Sequence, residues 1–271
     1  MMSRAAAVAF ALAGAVPLVP ATAEADETGA VEFRATVYGW LPDVAGRTTF
    51  PGSGSASDIR IDASTLLDSL EMTFMGSFAV QRGRWGAFTD VLYLDLADTR
   101  STSRGFAIGG QPLPAGATAR ASLDLQGWVW TLAGSYRAVD ADGSGLDVVG
   151  GVRMLDAEQA LGWQLEGNVG SIPVGSRQGS AWTSLQVWDA IVGVRGQWSL
   201  GDDGRWFVPY YLDLGAGESS LTWQTFAGVG YSFRWGDLTL AWRHLAYETN
   251  SDDGVEDVDF DGPLIAASFR W

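Results

Sequence analysis

The chain has 271 residues with seventeen basic and thirty-two acidic side chains, a formal charge of −15 that disfavours nucleic acid, whose phosphates need a basic face. It holds no cysteine, which excludes disulfides, zinc thiolates and a cysteine nucleophile. All basic residues are Arg, and thirty-five Gly with thirteen Trp suit a membrane barrel with aromatic girdles better than a soluble domain.

Residues 1–23 read as a secretory signal peptide. Arg4 precedes an apolar run, and Ala21-Thr22-Ala23 supplies a small-residue cleavage context. Pro17 and Pro20 interrupt the run, which argues against a spanning anchor. Residues 24–271 then form a single domain, a length that fits one all-β barrel.

Beyond the leader the dominant signal is period-two alternation. In "LTWQTFAGVGYSFRW", Trp223, Thr225, Ala227, Val229, Tyr231, Phe233 and Trp235 share one face. Gln224, Phe226, Gly228, Gly230, Ser232 and Arg234 share the other. An apolar face with aromatics at its ends matches a lipid-facing strand. The pattern predicts ten strands, over 31–50, 71–81, 85–98, 121–138, 146–160, 185–199, 206–216, 221–235, 237–248 and 259–271. Ser64 to Leu70 predicts a short helix with Ser64 as its N-cap.

Connections alternate in length. Short ones such as "DADGSG" (140–145) and "GDDG" (201–204) carry turn chemistry. Long ones cover 51–70, 100–120, 162–184 and the acidic stretch 248–261. Short turns on one side and long loops on the other predict an all-β, up-and-down antiparallel transmembrane β-barrel of about ten strands. "SFRW" stands at both 232–235 and 268–271, closing the eighth and tenth strands on the periplasmic side. Trp85, Trp206, Trp235 and Trp271 are therefore expected in one periplasmic aromatic girdle.

With aromatics turned outward, parity sends Asp90, Asp189 and Asp213 into the lumen together with Arg153, Arg195 and Arg243. A neutralised network of these six is expected to plug a barrel of this size, whose interior side chains nearly fill. Gly193, Gly228 and Gly230 are expected to leave room for the Arg side chains. Asp95 disagrees in parity with Asp90 on the same strand and raises the question of a bulge.

Candidate chemistry is sparse. His244 is the single histidine and falls on the lipid-facing parity near the outer end of the ninth strand. A general base must reach a substrate proton, so this position argues against catalysis. Glycine pairs lack a phosphate-loop context, and no cofactor is expected. The acidic stretch reads as a solvated loop able to collect divalent cations beside lipopolysaccharide phosphates.

"YGWLPDVAG", "LLDSLEMTFMGSFAVQRGRWGAFTDVLYLDL" and "RWFVPYYLDLGAGESSLTWQTFAGVGYSFRWGDLTLAWRHLAYE" resemble a broad group of proteobacterial outer-membrane β-barrel proteins, distantly similar to OmpW-like small barrels. The terminal aromatic resembles the signature read by barrel assembly machinery. The resemblance implies a Gram-negative outer-membrane location and carries no catalytic residues to transfer. The expected function is a non-catalytic narrow, porin-like passage or a structural envelope component. A membrane-embedded lipid or peptide hydrolase and a loop-mediated binding module are the alternatives.

Overall fold

Side chains that alternate between two environments can satisfy both only on a strand, and in lipid the strands must close so that no edge is left unpaired. The computed structural model describes residues 30–48, 57–64, 70–102, 107–108, 111–112, 117–141, 143–169, 172–201, 203–249 and 255–271. The leader expected at residues 1–23 and most of the helix expected at 64–70 lie outside them. No described helix is long and apolar enough to cross a membrane, which says nothing about strands.

The strands are β1 (Val31–Trp40), β2 (Asp43–Thr48), β3 (Ser57–Ile61), β4 (Leu70–Arg82), β5 (Trp85–Thr102), β6 (Ala107–Ile108), β7 (Gln111–Pro112), β8 (Ala117–Ala141), β9 (Ser144–Val169), β10 (Ile172–Leu200), β11 (Trp206–Gly217), β12 (Leu221–Ser232), β13 (Asp237–Glu248) and β14 (Val255–Arg270). Ten of them run β1-β4-β5-β8-β9-β10-β11-β12-β13-β14, each antiparallel to the next. Pairing of β1 with β14, from Arg34↔Arg270 to Trp40↔Leu264, closes the barrel. The turns at one end are tight, and Gly83 (φ 55°) and Gly143 (φ 76°) occupy left-handed backbone that other residues rarely adopt.

Two expectations require correction. The first strand does not run unbroken over 31–50. It breaks at Leu41-Pro42, where the Leu41 N–H donates to the Pro263 carbonyl and proline has no N–H to continue the ladder. β2 resumes against the upper part of β14 and turns back on itself as a hairpin with β3. A Cβ on Gly262 would collide with the Leu41 carbonyl, so the break presses directly on β14.

The described residues of 162–184 are strand and not loop, and 100–120 continues β5 at 100–102 and β8 at 117–120. β8, β9 and β10 reach 25, 26 and 29 residues, far more than a membrane crossing requires. β9 and β10 stay in register from Gln197↔Gly145 up to Ile172↔Val169, with one irregularity near Pro173. Turn-forming Gly, Ser and Asn mask the ladder in the sequence, yet backbone pairing with neighbours on both sides carries it through.

Burial separates the two faces. Val37, Phe78, Val152, Val192, Leu212, Leu240 and Ile265 are exposed and point outward as an apolar band. At the tight-turn end, Trp85, Trp206, Trp235 and Trp271 are likewise exposed. Trp85 meets Tyr136, Trp206 meets Tyr231, Trp235 lies between Phe233 and Phe269, and Trp271 stacks on Phe33. Toward the other end Trp128 packs on Tyr93, Trp130 on Trp188 and Trp223 on His244. The irregularity near Asp95 lies across the ladder in β4, where Leu70 pairs with Leu96 and Met72 with Asp95; β5 itself keeps its register with β8, so Asp95 faces outward at this upper row. There it accepts a hydrogen bond from the Tyr93 hydroxyl (3.2 Å), which in turn accepts one from Gln126 (2.6 Å).

Candidate functional site in the lumen and at the outer rim

Residues of inward parity stack in three levels. The uppermost is apolar, where Trp40, Val44, Met75, Leu92, Leu155, Leu245, Tyr247 and Phe260 form one buried cluster. Such a cluster lowers the local dielectric for charges beneath it.

The middle level is ionic. Arg153 and Asp213 have no exposed side-chain surface and form a two-pronged ion pair. One prong runs from Nη1 to Oδ1 at 2.9 Å, and the other joins Nη2 to Oδ2. Thr131 and Thr222 hydroxyls accept two further Arg153 donors, each at 3.3 Å. The second pair is Arg243 with Asp90 at 2.9 Å. Arg243 also donates to the Tyr38 hydroxyl and to Gln224, and its guanidinium lies 4.7 Å from the Trp40 ring centre. Asp189 lies across the ladder from Arg153 but is held instead by Ser219, through its N–H (3.0 Å) and its hydroxyl (2.7 Å).

In the lowest level Arg195 does not join these pairs. Its partner is Asp147 (3.4 Å), which Arg137 also contacts at 2.9 Å. Arg195 further donates to Ser135 and lies 4.3 Å from the Phe88 ring centre. Nearby Arg270 pairs with Asp237 at 2.7 Å.

All six residues expected in a lumen network thus point inward, but they form two ion pairs and two separate attachments, and not one web. Asp147, Tyr38, Gln224, Thr222, Ser219 and Asp237 were missed as partners. Asp147 shares parity with Arg153 on one strand and could have been found by the same rule; Ser219 sits in a turn, where parity gives no signal. The glycines also act differently from expectation. The place a side chain on Gly230 would need is taken by the Phe207 ring, and those at Gly193 and Gly228 by neighbouring strand backbone.

A second cluster sits on the outward face, beginning at the upper aromatic row and rising from it along β13 and β14. His244 Nδ1 lies 3.1 Å from Asp261 Oδ1, which also accepts from the Trp242 indole at 2.9 Å. Asp43, Trp223, His244, Glu248, Asp259 and Asp261 border a pocket of about 640 Å³ there. Partial burial raises the carboxyl pKa of Asp259; nearby His244 opposes this, while Asp257 and Asp261 add to it. These carboxylates are therefore not a freely solvated loop, because residues 255–261 belong to β14 and are fixed by the ladder. Among the described residues no group of three or more acidic or histidine side chains is arranged to hold a metal ion.

No family profile and no curated relative match the chain. Solved structures do. The outer membrane protease OmpT from Escherichia coli superposes with a TM-score of 0.51 at 8% identity, over 90% of this chain and 98% of that one. The fold is that of an outer-membrane β-barrel. Weaker likenesses include Ail of Yersinia pestis, solved with sucrose octasulfate (TM-score 0.33, 9% identity, 90% of this chain and 99% of that one). The translocator domain of autotransporter NalP from Neisseria meningitidis gives 0.39 at 12% identity, over 92% and 90% of the two chains. A likeness at 8% identity shows the fold alone, so function must be argued from this barrel's own side chains.

Proposed function

We propose that this barrel is a non-catalytic structural component of the Gram-negative outer membrane, with a lumen closed to solutes. The observation that carries this reading is the middle level of the lumen. Arg153 and Asp213 are fully buried there, beneath a continuous apolar cluster. A porin needs a hydrated polar channel at this height, whereas here the charges neutralise one another and the layer above them is apolar. Contact with the surroundings then falls to the outward apolar band, which meets lipid, and to the rim. Asp257, Asp259 and Asp261 lie where lipopolysaccharide phosphates would sit, and divalent cations shared between the two would complete their ligand sets with phosphate oxygens. Insertion would use the barrel assembly machinery, after export directed by the signal peptide.

The hydrolase alternative rests on the His244–Asp261 pair. That pair faces away from the lumen, His244 is stacked on Trp223, no serine lines the pocket beside it, and among the described residues no group of three or more acidic or histidine side chains is arranged to hold a metal ion. Refolded protein is expected to leave ester, lipid A and peptide substrates intact, as is His244→Ala. Turnover by the unmodified protein that His244→Ala abolishes would overturn the non-catalytic reading.

A further inference from the structure

The lowest level of the lumen leaves one cation without a counterion. Arg34 on β1 and Arg270 on β14 are direct register partners, and both carry inward parity. Like charges placed opposite on paired strands repel and destabilise the pair. Arg270 resolves its share by binding Asp237, whose Oδ1 also accepts from the Ser232 hydroxyl. That carboxylate is almost wholly buried. Arg34 makes no hydrogen bond or ion pair with any described side chain. It is half-buried, on inward parity near the tight-turn end of the lumen.

The neighbours sharpen the imbalance. Arg195 reaches the same space from the opposite wall, and its single carboxylate, Asp147, is divided with Arg137. Arg34 feels the positive charges of both Arg270 and Arg195 as well as the negative charges of Asp237 and Glu32. With the exposed rim groups Arg270, Glu32 and Asp140 set aside, three guanidiniums, Arg34, Arg137 and Arg195, meet two buried carboxylates, Asp147 and Asp237, and the second of these is already taken by Arg270. The apolar cluster and the ionic pairs close this space from above, so it is a blind vestibule that opens only on the tight-turn side. In a chain of charge −15 this local cationic excess stands apart.

We infer that the vestibule binds a small oxyanion of the phosphate or sulfate class from the periplasmic side, held by Arg34 with Arg270 and Arg195. A tetrahedral oxyanion offers acceptors in several directions at once, which suits guanidiniums converging from separate strands. Chloride neutralises charge but cannot bridge the forks.

The test compares detergent-refolded wild type with Arg34→Gln, by calorimetry with sodium phosphate and sodium sulfate against sodium chloride at matched ionic strength. Wild type is expected to bind phosphate or sulfate with one site and to melt higher in either than in chloride. Arg34→Gln should weaken that binding about tenfold or more, the worth of one charge-assisted hydrogen bond. It should fold as well as wild type in chloride, because it removes the repulsion with Arg270. Arg205→Gln, on an exposed turn, is the control and should retain full binding. Equal melting of the wild type in all three salts, or a phosphate effect unchanged in Arg34→Gln, would overturn the inference. The blindness of the vestibule rests on the closed-lumen reading, but this readout uses neither conductance nor catalysis, so failure of the anion site and failure of that reading are distinguishable.

Discussion

Asp213→Ala should destabilise the barrel by about 3–5 kcal/mol, because it leaves Arg153 buried and charged with no partner. The Arg153 side chain has no exposed surface, and its other contacts, Thr131 and Thr222, are neutral acceptors at 3.3 Å that cannot replace a two-pronged carboxylate. Denaturant unfolding of the protein refolded into phospholipid vesicles measures the change. The companion variant carries Arg153→Met and Asp213→Leu together. Replacing a buried pair by apolar side chains of similar volume is often neutral or stabilising, so the double variant should recover most of the loss. A cost below about 1 kcal/mol for Asp213→Ala is the range of an exposed pair, and would mean that water reaches this level of the lumen.

Leu240→Arg should cost roughly 2–4 kcal/mol in the same vesicles, the penalty for a guanidinium on the lipid face near the midplane. Leu240 is 66% exposed and lies on outward parity between Leu238 and Trp242. In an aqueous protein such an exposed position would accept Arg within about 0.5 kcal/mol. The adjacent inward position offers the control. Thr239→Ser faces the lumen and removes only a methyl group, so it should change stability far less. If Leu240→Arg proves neutral in vesicles, the outward band does not face hydrocarbon and the membrane assignment fails.

Strand parity makes the walls of this barrel legible in the sequence. From β11 to β13 the outward alternation runs through Leu212, Trp223 and Leu240, so parity alone identifies an inward set that includes Asp213 and Arg243. The rest depends on pairing across the lumen, which parity does not encode. Arg195 finds Asp147 and not a member of the expected set because β9 and β10 are neighbours and place the two opposite each other at Arg195↔Asp147. Asp189 and Arg153 are likewise opposite, yet the Ser219 turn folds over Asp189 and captures it. The break at Leu41-Pro42 is signalled by its proline, but the continuation of β2 along β14 is not. In the long strands β8 to β10 the extension above the membrane is hidden, because glycine- and serine-rich ladders look like loops when read one strand at a time.

The acidic rim shows the same limit. Its carboxylates read as a charge run, and charge runs usually remain hydrated. Ladder pairing of Asp261 with both His244 and Asp43 instead fixes three of them on one outward surface. Nothing in the sequence states that β2 lies there.

Planar-bilayer recording of the purified, refolded barrel tests the closed lumen most directly. The buried Arg153–Asp213 and Arg243–Asp90 pairs beneath the Trp40 cluster predict a silent bilayer, or only rare and small steps, across the usual voltage range. Arg195→Ala lies below that plug and should leave the recording unchanged, whereas unplugging requires loss of the middle level. Large, steady, nanosiemens-scale openings from the unmodified protein would contradict the account.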